Sequence, residues 1–172
     1  HKMDLLFTHF GISGPAALRC SSFVNQLLEK QENVSAVLDC FPDVSEADLL
    51  KKLNEALQDT KKTVKNALAS FLPERLLTFY LDRLGLTDCP SQQLSQEQVE
   101  SIRHLFKHFT IKIHKTLPLE KSFVTGGGIH LKEINPKTME SKCLPGLFFA
   151  GELIDINGYT GGFNITAAFC TG

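Results

Sequence analysis

The feature that most constrains this chain is a change of hydrophobic period. Over residues 45–108 apolar side chains recur at helical spacing, and at Phe109 the period drops to two. Ser45, with Asp48 three residues on, opens a first helix carrying Leu49, Leu50, Leu53 and Leu57. Val64, Ala67, Leu68, Phe71 and Leu72 mark a second. Pro73 and Gly85 bracket a third bearing Leu76, Leu77, Tyr80, Leu81 and Leu84, since proline suits a helix start and glycine its end. Ser95 with Gln98 caps a fourth, on which Val99, Ile102, Leu105 and Phe106 share a face. Phe109, Ile111 and Ile113 then alternate with Thr110, Lys112 and His114, as a half-buried strand requires.

The flanks read differently. Residues 5–7 form the end of a strand, and Gly11, Ser13, Gly14 and Pro15 a tight turn with Ser13 or Gly14 capping a helix that runs to about Leu28. Phe23, Val24, Leu27 and Leu28 make that helix's apolar side, and a strand follows over 34–41. Beyond Pro118 the pattern reads strand, Gly turn, strand over 123–131, a short strand over 140–143, and a buried apolar strand over 147–150. The expected class is α+β. Its parts are a β-barrel-like piece with one helix (1–43), a four-helix subdomain (44–108), a second barrel-like piece (109–143) and a C-terminal strand–loop–helix (144–172).

Charge and cysteine usage narrow the function. A net charge of −1 offers no electrostatic case for nucleic acid or an anionic membrane. No apolar run approaches the ~20 residues that span a bilayer. Five scattered cysteines without a C-x-x-C pair suit a reduced cytoplasmic interior, and neither a disulfide framework nor a zinc site is expected. Met3 lies behind His1-Lys2 and the last helix ends at Gly172, so the chain reads as a segment of a longer one.

Several motifs carry possible chemistry. Gly11-Ile12-Ser13-Gly14-Pro15 is close to the G-x-S-x-G nucleophile elbow, but Pro15 stands where the smallest residue is needed, and a helix cap is the better reading of Ser13. His104 and His108 sit at i, i+4 without the Glu of H-E-x-x-H or a third ligand, which reads as a solvated helix face rather than a metal site. His9, in a Gly-rich segment, is the weak candidate for an acid or base. Three Gly-rich segments (11–14, 126–128 and 158–162) could serve as structural turns or converge on a ligand. Glu152, just past an apolar run, could accept from a polyol hydroxyl. Residues 160–162 would expose N–H groups at a helix N-terminus. A plain strand–turn–helix connection fits the same residues equally well.

Four blocks together resemble one known family. They are Leu6-Phe7-Thr8-His9-Phe10-Gly11-Ile12-Ser13-Gly14-Pro15, then Phe123-Val124-Thr125-Gly126-Gly127-Gly128, then Asn135-Pro136-Lys137-Thr138-Met139-Glu140-Ser141-Lys142, and last Gly146-Leu147-Phe148-Phe149-Ala150-Gly151-Glu152 through Thr160-Gly161-Gly162-Phe163-Asn164. Their order is similar to the BaiN-like, or aminoacetone-oxidase-like, bacterial flavoproteins, a family of FAD-dependent oxidoreductases. The resemblance implies an α/β parent in which this chain supplies barrel pieces, the helical insert and a partial Rossmann-like segment at its C-terminus. It implies FAD as cofactor and a small-molecule substrate exchanging hydride with flavin N5. Gly151, Glu152, Thr160, Gly161, Gly162, Phe163 and Asn164 would contact the cofactor. Thr8, Gly11, Ser13, Gly14, Thr125, Gly126 and Gly127 would line the substrate side. The chain carries no G-x-G-x-x-G, so it is expected to hold half of the FAD site and not to act alone. The competing expectation is a non-catalytic module whose helices bind a protein partner.

Overall fold

A computed structural model describes residues 2–58, 61–158 and 161–172. The elements are β1 (Leu6–Thr8), β2 (Gly11–Ser13), α1 (Gly14–Leu28), β3 (Val34–Leu38), α2 (Glu46–Leu57), α3 (Val64–Ala67), α4 (Glu74–Leu84), α5 (Gln96–Lys107), β4 (Phe109–Ile113) and α6 (Gly161–Thr171). The class is α+β. β1 pairs with β2, β3 pairs with β4, and isolated bridges supply the remaining described β structure. The chain divides into two units, residues 35–112 and residues 1–34 with 113–172.

The unit 35–112 is built as its helix signals dictate. The Ser45 side chain accepts from the Asp48 amide at the start of α2, and Ser95 with Gln98 completes a reciprocal capping box on α5. Gly85 ends α4 in the left-handed conformation at φ 67°, which a side chain would disfavour. Among the described residues twelve buried apolar side chains, including Leu49, Leu53, Tyr80, Ile102 and Phe106, form one core. Phe106 stacks on Phe41 and tilts against Tyr80, with ring centroids 5.7 and 5.9 Å apart. Burial pushes the Tyr80 hydroxyl and the Cys40 thiol above their ordinary pKa values, and each is the other's hydrogen-bond partner at 3.6 Å.

One buried cation fastens the chain entering this unit. Lys107, at the end of α5, points its ammonium at the carbonyls of Phe41 (2.8 Å) and Val44 (2.9 Å) and pairs with Asp39 at 2.8 Å. Its three donors thus have partners, which is what makes a buried lysine tolerable. Nearby, Glu46 accepts from His108 and Arg103, which hold its carboxyl below the usual range. His108, at the C-cap of α5, is thus a hydrogen-bond partner of Glu46. The second expected helix is shorter than its apolar pattern, one turn at Val64–Ala67. The chain leaves the helix at Leu68 (φ −97°, ψ 8°), whose side chain is fully buried in the core.

The other unit departs further from expectation. The tight turn lies at His9-Phe10, not over 11–15, because Gly11–Ser13 is a strand antiparallel to Leu6–Thr8 in the register Leu6↔Ser13. Ser13 occupies the N-cap position of α1 but its side chain makes no cap bond; the Asp4 carbonyl takes the Ala16 amide instead, at 3.0 Å. The apolar side of α1 is not buried either, since Phe23 and Leu27 are exposed. Residues 147–150 form no strand, and the 59% exposed Phe148 makes a single bridge to Glu140. Strands over 123–131 and 140–143 likewise reduce to isolated bridges. A ladder needs partners along its length, and the described residues here offer one contact at a time.

The two units therefore rest on different terms. Leu53→Ala, at a fully buried site, should cost about 2–5 kcal/mol in the denaturant-induced unfolding of the helical unit. Phe169→Ala, at an 83% exposed site, should stay within ~0.5 kcal/mol by the same measurement.

Candidate functional site

The site grows from one parallel bridge, Ile129↔Ile154. The Ile129 amide donates to the Leu153 carbonyl at 2.8 Å and the Asp155 amide to the Ile129 carbonyl at 3.0 Å. Gly128, at φ 135°, passes so near that a Cβ there would lie 2.4 Å from the Leu153 oxygen. Only glycine fits. The close passage sets residues 125–127 beside a 3-10 turn at Gly151–Leu153. Thr125 there donates to one oxygen of Glu152 twice, from its backbone amide at 2.8 Å and its hydroxyl at 3.0 Å. Those two donors, the amide first, hold the Glu152 carboxyl below the usual carboxylate range. The turn is tied to α6 by the Gly151 amide, which donates to Thr171 Oγ1 at 3.0 Å.

The start of α6 is stapled to the loop before it. The Gly158 amide donates to Asn164 Oδ1 at 2.6 Å, and Asn164 Nδ2 donates to the Gly158 carbonyl at 3.4 Å. Phe163 lies flat enough on Gly158 that a Cβ there would come 2.3 Å from its ring. Asn164 is buried, and both ends of its carboxamide serve this staple. Around a Cβ built at Gly126, Gly127 or Gly162 there is no atom within 4 Å. Space is left open where these loops present backbone.

Two cavities in this unit meet at Val124 and Asn164. The smaller, about 260 Å³, lies between Glu152, Phe123 and the α6 residues Ile165 and Phe169. The larger, about 1000 Å³, is a cleft with Thr125, Gly126 and Gly127 and then Asp155, Asn157 and Gly158 on one wall and α1 on the other. Of the expected residues, Glu152 lines the smaller cavity, Thr125, Gly126, Gly127 and Gly161 the larger, and Asn164 both. Gly151, Gly162 and Phe163 line neither cavity, while Thr160 lies outside the described residues.

The first Gly-rich segment does not join them as lining. Thr8 closes the hairpin turn through its hydroxyl, which donates to the Gly11 carbonyl at 3.1 Å, and His9 is exposed beside Phe10 at the tip. Gly14, at φ 87°, packs its α-carbon against the Leu6 backbone. The cleft is instead lined by a mixed face of α1, with Leu18 beside Ser22, Asn25 and Gln26, and by His114, which is bonded to Asn33. Sequence reasoning took α1 for its apolar residues alone; the i, i+3/i+4 spacing of its polar ones was the signal to follow. Among the described residues no three His, Cys, Asp or Glu side chains gather as metal ligands, and no helix is long and apolar enough to cross a membrane.

Residues 1–124 match the family described as HI0933-like protein barrel and H2TH domain, and residues 83–172 the HI0933-like protein Rossmann domain. The chain belongs to the HI0933-like family. That agrees with the BaiN-like resemblance carried by the four motif blocks. The chain is 35% identical over 170 residues to the ribosomal RNA dihydrouridine synthase of Escherichia coli strain K12, covering 98% of this chain and 40% of that protein. It is 32% identical over 167 residues to the ribosomal RNA dihydrouridine synthase of Haemophilus influenzae, covering 96% and 39%. With the 3-dehydro-bile acid delta(4,6)-reductase of Clostridium scindens it shares 26% over 171 residues, covering 98% and 42%. The HI0933-like chain thus spans about two fifths of the length of these relatives.

The Thr125–Glu152 contact is open to direct test. In a carboxyl-carbon NMR titration Glu152 should titrate below the usual carboxylate range. Thr125→Val removes the hydroxyl donor and keeps the amide, so it should move that midpoint part of the way back up. A depressed pKa stabilises the fold above the unfolded-state value, and this contribution is lost as pH falls through the folded one.

Proposed function

We propose that this chain is the C-terminal portion of a flavin-dependent oxidoreductase, with FAD as its cofactor, that saturates a carbon–carbon double bond conjugated to a carbonyl. The observation that carries the proposal is the convergence of the Thr125-held Glu152, the open glycine backbone and the first turn of α6 on adjoining cavities. The residues suit a flavin's polyol and ring. Glu152 has one oxygen engaged by Thr125, and its other oxygen would accept from a cofactor hydroxyl. The first amides of α6, at the positive end of its dipole, would face the negative charge that a reduced flavin carries at its pyrimidine end. Flavin, when bound, supplies hydride at N5. The pyrophosphate-gripping glycine loop is placed outside this chain, which carries no G-x-G-x-x-G, so the chain alone is proposed not to complete the site.

The relatives' names support the reaction type. Making dihydrouridine saturates the C5–C6 bond of uridine, which is conjugated to the C4 carbonyl. A delta(4,6)-reductase acting on a 3-dehydro-bile acid saturates bonds conjugated to the 3-oxo group. Both reactions place hydride on one carbon and a proton on its neighbour. Uridine is the substrate favoured here, because the two relatives above 30% identity are named for making dihydrouridine and the mixed lining of the large cleft includes the hydrogen-bonding side chains of Ser22, Asn25 and Gln26.

The full-length protein should purify yellow. Glu152→Ala and Gly162→Val should each weaken flavin retention about tenfold, roughly 1.4 kcal/mol, in equilibrium dialysis. Gly162→Val has no neighbour within 4 Å to displace, so its melting temperature without flavin should stay unchanged. A colourless parent that FAD cannot reconstitute would overturn the proposal.

A further inference from the structure

The large cleft has a wall that the cofactor reading leaves unused. Along α1 and its C-cap residue Glu29, Pro15, Leu18, Ser22, Asn25 and Glu29 reach it at steps of three and four, which makes them one face of the helix. Arg19 and Gln26 flank that stripe and line the cleft as well. The face is graded: apolar at its N-terminal end, then hydroxyl and carboxamide towards the C-terminal end. At about 1000 Å³ the cleft lies at the top of the ~300–1,000 Å³ range of small-molecule sites, enough for two ring systems. Its charged lining is balanced, Arg19 and Lys115 against Glu29 and Asp155. A ligand there is selected by hydrogen-bond pattern more than by charge.

We infer that the Asn25 and Gln26 carboxamides of α1 read the imide edge of a uracil base held in this cleft. A carboxamide presents a donor and an acceptor in one plane, and the imide edge alternates acceptor, donor, acceptor. One amide oxygen takes the N3 proton, and amide N–H groups donate to the flanking carbonyl oxygens. Polarising a carbonyl conjugated to the C5–C6 bond also favours attack at that bond, so the contact that selects the base assists its reduction. Both side chains are exposed and α1 has no buried residue, so neither holds the fold together. The inference rests on the reductase reading above and adds to it the residues that choose the substrate.

The test measures binding without turnover. Uridine 5′-monophosphate and cytidine 5′-monophosphate are titrated into the full-length protein by ligand-observed NMR, in wild type and in the Asn25→Asp/Gln26→Glu double variant. The variant keeps side-chain size but loses its donors, and a carboxylate accepts from the cytosine amino group. Uridylate should bind about tenfold more weakly to the variant, and the preference should move towards cytidylate. Unchanged uridylate affinity, or equal losses for both nucleotides, would overturn the inference. Tighter wild-type binding of a conjugated 3-oxo steroid than of uridylate would also overturn it, in favour of an apolar substrate. Bound flavin is read by absorbance in the same samples. Its absence from wild type would sink the reductase reading, whatever the nucleotides do.

Discussion

The passage of Gly128 under the Leu153 carbonyl is the contact on which the candidate site depends. It permits the Ile129–Ile154 bridge, and that bridge aligns two loops distant in sequence so that Thr125 can reach Glu152. A carboxylate with two donors on one oxygen keeps its charge and its orientation while its second oxygen stays available. Asn164 does the complementary task on the far side, closing the 158 loop onto α6. The result is backbone and one oriented carboxylate around open space, the kind of surface that binds a cofactor by positioning rather than by covalent chemistry.

The two units differ in how they hold themselves. Among the described residues, the helical unit buries twelve apolar side chains in one cluster, at roughly 1.5–3 kcal/mol for each large one, and caps its helices from their own sequence. Among the described residues, the unit that carries the candidate site has three buried apolar side chains, Val34, Ile134 and Ile154, and exposes Phe123, Phe148 and Phe169. Its order comes from turns, bridges and side-chain-to-backbone bonds. Phe123 and Phe169 share the lining of the smaller cavity, and exposed apolar surface gathered in this way marks where other protein surface or ligand belongs. In the proposed function that role falls to the remainder of the FAD site.

The proposed division of labour follows from the same contrast. Glycine loops and α6 form a wall with few side chains, suited to a cofactor recognised through backbone. α1 forms a wall rich in carboxamides and hydroxyls, suited to a substrate recognised by pattern. Hydride transfer between two planar rings needs such facing walls, with the protein contributing alignment and electrostatics.

Much of this was legible in the residues. The period change at Phe109, the Ser45 and Ser95 caps and the Gly85 stop define the helical unit, because helix signals are local and survive without neighbours. The motif blocks around Gly126–Gly128 and Glu152 point to the family and to a cofactor-shaped end. The apolar run over 147–150 was misread as a buried strand, since a strand exists only where another chain segment pairs with it. The substrate-side residues expected in the first Gly-rich segment lie outside the cleft lining for a related reason: β1 and β2 pair with each other and take Thr8 and His9 to a hairpin tip. Sequence alone determined the capped helices α2 and α5, the glycine stop of α4 and the acidic residue of the candidate site. Only tertiary structure decided that Thr125 engages Glu152, that Asn164 serves Gly158, and that a mixed face of α1 lines the cleft, because each depends on contacts between residues far apart in the chain.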